Sequence, residues 1–99
     1  MEINIKDTIY KVKYTIRAMF VFEKITNKPF KIDTLMDWYI FFYSIILANN
    51  SDCLLTFDEF IDVCDEQPEL IIEIQKYINK EMELRSSVTP FKEEDRKKN

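Results

Sequence analysis

Residues 37–49 read DWYIFFYSIILAN, and between Trp38 and Ala48 there is no charged side chain and a single aliphatic hydroxyl, Ser44. On a helical wheel at about 100° per residue, Tyr39, Phe42, Tyr43 and Ile46 form one apolar face. Trp38 and Ile45 widen it on one side, Ile40 and Leu47 on the other. Asp37, Ser44 and Ala48 make a weakly polar stripe, which Phe41 interrupts. A helix apolar all round has to be enclosed by a large core, a membrane or a partner. The run is well short of the ~20 apolar residues that span a bilayer. A chain of 99 residues removes only about 60–70% of its unfolded surface from water on folding. The helix is therefore expected to be partly core and partly interface, with Trp38, Ile40, Phe41 and Ile45 as candidate partner-binding residues. The competing expectation is an unusually aromatic core helix.

The chain contains neither His nor Gly. Without His it lacks the side chain that titrates near neutral pH when unperturbed. Without Gly it cannot form a Gly-rich phosphate cradle, a dinucleotide fingerprint or a nucleophile elbow. Carboxylates could still exchange protons, but no isolated pair stands out. The expectation is a protein that is not an enzyme, with no catalytic, cofactor-binding or metal-ligating residues. Cys53 and Cys64 have no CxxC spacing and no His beside them, so a zinc site is not expected. Cys64 falls on an apolar helical stripe and reads as a small core residue. Two thiols make no disulfide framework, which favours a reducing cytoplasm, and MEINIKD has no signal-peptide pattern. The segment from Ala48 to Glu59 imitates a calcium loop, with Asn50, Asp52 and Glu59 at ligand positions. Ala48 at the first position has no ligand oxygen, and Cys53 stands where the sharp turn needs Gly. Thr56 and Glu59 are better explained as a helix capping box.

Along the chain, Ile3 and Ile5 alternate with polar neighbours, as do Tyr10, Val12 and Tyr14 beyond Asp7-Thr8. Period-two alternation around a short polar turn predicts a β-hairpin over Glu2–Tyr14, with the turn type left open by the missing Gly. Thr15 is placed to cap a first helix that ends at Asn27-Lys28-Pro29, since the residue before Pro disfavours helix. Asp33 is the expected cap of the apolar helix, and Asn49-Asn50-Ser51-Asp52 a turn. A third helix follows Thr56, burying Phe57, Phe60, Ile61 and Cys64. Pro68 opens a fourth, with Leu70, Ile71, Ile74, Tyr77, Ile78 and Met82 as its stripe. The fold class is α+β: an N-terminal β-hairpin packed on a three- to four-helix bundle, with a disordered C-terminal tail. Residues 1–86 are expected to form a single domain and residues 87–99 a flexible charged tail.

Charge is unevenly distributed. Residues 1–36 hold seven Lys/Arg against four Asp/Glu, whereas residues 37–84 hold two against eleven. A net acidic middle argues against a nucleic-acid footprint, which needs a clustered basic face. Head and middle could attract each other between copies, and a homo-oligomer is expected.

YKVKYTIRAMFVFEKITNKPFKI, from Tyr10 to Ile32, together with LTFDEFIDVCDEQPEL downstream, resembles the small tail assembly chaperones of long-tailed phages and prophages. The resemblance spans about residues 3–75 and is a pattern of residue types. It implies a hairpin followed by helices and a non-enzymatic role. Such chaperones bind the tape measure protein, keep it soluble, and leave as tail tube protein polymerises around it. The implied partners are thus the tape measure protein and the tail tube protein, in the host cell cytoplasm if phage-encoded, with no nucleic acid and no membrane. Two other functions fit the residues: a small self-associating interaction module, or an acidic regulatory protein using Asp58, Asp62, Asp65, Glu66 and Glu69.

Overall fold

The computed structural model describes residues 1–87. Strands β1 (Glu2–Ile5) and β2 (Thr8–Lys11) precede helices α1 (Ile16–Thr26), α2 (Leu35–Asn49), α3 (Phe57–Glu66) and α4 (Pro68–Ser87). The class is α+β, a two-stranded antiparallel hairpin followed by four helices. The expected tail lies outside the described residues, apart from Ser87, which ends α4.

The hairpin pairs Ile3 with Tyr10 and Ile5 with Thr8. Its turn is Lys6-Asp7, one residue earlier than the alternation suggested, and Thr8 already belongs to β2. Both turn residues have positive φ, 51° and 67°. That combination matches the right-handed twist of a tight hairpin and is usually supplied by Asn-Gly. Here Asn4 steadies the turn from outside it, its Oδ1 accepting the Asp7 N–H at 3.1 Å. Regular pairing ends at Lys11, but the ribbon continues through a reciprocal Met1–Val12 pair. Ile3, Ile5, Val12 and Tyr14 are buried, so this face closes one side of the core.

α1 starts at Thr15, whose hydroxyl accepts the Ala18 N–H, and stops at Asn27 in the left-handed region. Asn27 needs no Gly there because its short polar side chain tolerates that region. α2 is capped by Thr34, not Asp33. Thr34 Oγ1 accepts the Asp37 N–H at 3.1 Å, and the Asp37 carboxylate accepts the Thr34 N–H at 3.2 Å. The reciprocal box satisfies two amides that would otherwise lack partners. Thr56 and Glu59 form the same box at the start of α3.

α1 packs most extensively on α2 among the element pairs. The core joins the hairpin face to Ala18 and Phe22 of α1, Phe41, Phe42, Ile45 and Ile46 of α2, Phe60 and Val63 of α3, and Ile74 and Ile78 of α4. α4 is tied to the chain after the hairpin by polar contacts. The Tyr14 N–H donates to the Tyr77 hydroxyl at 3.2 Å, and Arg85 donates to the Tyr14 carbonyl at 3.0 Å while its guanidinium lies over the Tyr14 ring.

Candidate partner groove

Two of the four residues expected on an interface lie inside the domain. Phe41 and Ile45 are fully buried, and Trp38 and Ile40 are half-buried. Phe41 is the centre of an aromatic cluster, with ring centroids 5.9 Å from Tyr14, 6.4 Å from Phe22 and 4.9 Å from Phe30. Trp38 lies against Phe42 at 5.7 Å. The four side chains therefore do not form a common exposed surface.

The reason lies in the stripe that looked polar. Asp37 and Ser44 are both buried, and each is satisfied close to home. Besides the Thr34 amide, Asp37 accepts the Asp33 N–H at 3.0 Å and faces the Lys28 ammonium at 3.2 Å. The Asp33 amide, then the Lys28 and Thr34 contacts, hold its carboxyl below the usual carboxylate range against the opposing effect of burial. Ser44 donates to the Ile40 carbonyl one turn back at 2.7 Å. With their hydrogen bonds made, these groups can face the interior, and the most buried side of α2 contains the residues that seemed most polar.

On α2 the apolar surface left open lies at the first turn. Leu35 is 73% exposed and Met36 60%. With Tyr39, they form one wall of a groove of about 500 Å³, whose other wall is Phe57, Ile61 and Cys64 of α3, with Asp58 and Asp65 at the rim. Each wall is braced by a ring contact, Tyr39 with Phe42 at 5.7 Å and Phe57 with Tyr43 at 5.5 Å between ring centroids. The Cys64 thiol is pushed up to about 12 by burial, with the Asp65 charge adding to the effect. It is therefore protonated, and it contributes apolar surface here and no nucleophile. Leu35 and Met36 escaped a wheel begun at Asp37. A window opened at Thr34, the true cap, would have included them.

A second cleft, about 720 Å³, lies between α1 and the end of α2, lined by Arg17, Phe20, Val21, Lys24, Leu47 and neighbouring residues. It is more polar, and Phe20 at its edge is exposed. At the imitation calcium loop, the Asn50 side chain is engaged with backbone. It accepts the Lys11 N–H and donates to the Lys11 carbonyl, both at 2.9 Å. Glu59 is engaged with the Thr56 amide. Among the described residues, no group of three or more His, Cys, Asp or Glu is arranged to hold a metal, and no helix is long and apolar enough to cross a membrane. Comparison with protein-family models, with curated proteins and with solved structures finds no match.

Proposed function

We infer that this chain is an assembly chaperone of the phage-tail type. It acts by binding, not by catalysis, and shields an apolar helical stretch of a tape measure protein until tail tube protein takes its place. The observation that carries this reading is the open apolar groove between α2 and α3, where Leu35 and Met36 stand exposed beside Phe57 and Ile61. An amphipathic helix laid in a groove of this kind is a recurrent mode of peptide recognition. The residue-type pattern over residues 3–75 supports the same reading. The host cell cytoplasm is the corresponding place of action.

The test is co-expression with a phage tape measure protein. The wild-type chain should move that protein into the soluble fraction. A Met36→Glu, Ile61→Glu double variant, folded by circular dichroism, should not. Insolubility with both chains would reject the chaperone reading.

A second reading, a self-associating module, rests on α1, where Ile16 and Phe20 are exposed on the helix surface. Sedimentation separates the two. Concentration-dependent association of the wild-type chain that Phe20→Asp abolishes, with no effect on any client, would favour the module.

A further inference from the structure

We propose that the groove between α2 and α3 selects the charge of its occupant: it takes about two turns of an amphipathic helix whose apolar stripe is flanked by Lys or Arg. The proposal rests on the chaperone reading for the helical nature of the partner and adds the chemistry that recognises it.

The apolar part sets the length. Phe57, Ile61 and Cys64 recur at helical spacing along α3. From Phe57 to Asp65 the helix rises about 12 Å at 1.5 Å per residue. That span matches about two turns of an occupant presenting residues at i, i+3 or i+4, and i+7.

The charged part sets the flanks. α3 reads FDEFIDVCDE and contains no Lys or Arg. Among the described residues, Asp58, Asp62, Asp65 and Glu66 make no ion pair. Asp58 lies in the first turn, where the helix dipole favours an anion. Asp65 and Glu66 lie in the last, where the dipole opposes them. Like charges with no ion pair among the described residues, two of them set against their own dipole, repel one another and weaken the helix. A cationic flank lying along the rim beside Asp58 and Asp65 would relieve that repulsion while its apolar stripe covers Ile61 and Phe57. A Glu-flanked helix would add to it.

The experiment uses the full chain and three labelled peptides of about four turns each. One has a Leu stripe flanked by Lys, one the same stripe flanked by Glu, and one the Lys composition with the stripe scrambled. Fluorescence anisotropy at low salt should show the Lys-flanked stripe binding about tenfold or more tighter than the Glu-flanked one, as expected for a few partly exposed ion pairs. The difference should shrink at high salt, and the scrambled peptide should bind weakly. An Asp58→Lys, Asp65→Lys variant, checked for fold by circular dichroism, should reverse the preference.

Equal binding of the two striped peptides, or no reversal in the variant, would overturn the proposal. So would scrambled and striped Lys peptides binding alike, since the acids would then attract any cation. Self-association lost on Ile61→Glu would also overturn it, by giving the groove to a second copy. If peptide selection fails while the client is still kept soluble, docking lies elsewhere and the chaperone reading stands. If selection holds and no client is solubilised, the groove chemistry stands without that reading.

Discussion

Phe41 shows how one residue can join separate parts of a small chain. Its ring meets Tyr14 from the end of the hairpin, Phe22 from α1 and Phe30 from the link before α2. The contacts with Tyr14 and Phe22 are edge-to-face and the one with Phe30 is tilted; such ring contacts add to the burial of the ring itself. Phe41→Ala should cost about 3–5 kcal/mol, a large share of the roughly 5–15 kcal/mol expected for the whole domain. Phe41→Asp and Phe42→Asp should both unfold the chain, because each would place an unpaired charge in the core. Circular dichroism of the two variants checks this, and a folded Phe41→Asp would return that residue to the surface. The hairpin turn gives a prediction of opposite sign. Lys6 and Asp7 both have positive φ without the freedom of Gly, a conformation that costs ordinary residues about 1 kcal/mol or more. Asp7→Gly should raise stability by about 0.5–1 kcal/mol in urea unfolding, since the relieved strain outweighs the added freedom of the unfolded chain. Unchanged or lower stability would show that the Asn4 contact already relieves the turn.

At the scale of elements, a two-stranded hairpin is marginal by itself, and the structure shows how this one is held. Its inner face is part of the core, and its β2 edge is occupied by the end of α2. Asn50 bonds both the N–H and the C=O of Lys11, as a neighbouring strand would, and Asn49 donates to the Lys13 carbonyl at 2.9 Å. An uncovered strand edge is a template for pairing between chains. Asn50→Ala should therefore lower the hydrogen-exchange protection of Lys11 and increase aggregation on storage, with little change in helix content. Unaltered exchange at Lys11 would mean the side-chain bonds contribute nothing to holding the edge. α2 itself tolerates its apolar circumference because neighbours contact it on several sides: α1, α3 and β2. Its exposed remainder is concentrated at the first turn, beside α3, where the groove opens.

At the scale of the whole molecule, stability should follow the carboxylates that begin the helices. Asp37 is held below its ordinary range first by the Asp33 amide, and Glu59 first by the Thr56 amide. A carboxyl with a depressed folded-state value binds fewer protons folded than unfolded. Its contribution is therefore present above the unfolded value of about 4 and is lost as pH falls through the folded one. The melting temperature should be insensitive to these two groups near neutral pH and fall as the medium becomes more acid than about pH 4. Asp37→Asn should lower it at neutral pH and make the acid decline shallower. A decline of undiminished steepness in that variant would place the sensitivity at other carboxyls.

The sequence by itself determined the kind and order of the elements, since these rest on local physics. Alternation made Ile3, Ile5, Val12 and Tyr14 one face of a ribbon, and Thr15 and Thr56 marked the start of helices by offering an oxygen to unpaired amides. Pro29 and Pro68 marked their breaks in the same local way. The orientation of α2 was decided only by the tertiary structure. A helix apolar on every side has almost no hydrophobic phase, so a wheel cannot say which side faces in. The weak phase it has, from Asp37 and Ser44, points the wrong way, because both side chains spend their polarity on the backbone next to them. What chose the buried side was the meeting of Phe41 with rings up to 27 residues earlier in the chain, a contact that no local pattern encodes. The groove follows from that choice: once Phe41 and Ile45 turn inward, Leu35 and Met36 are left facing out beside α3.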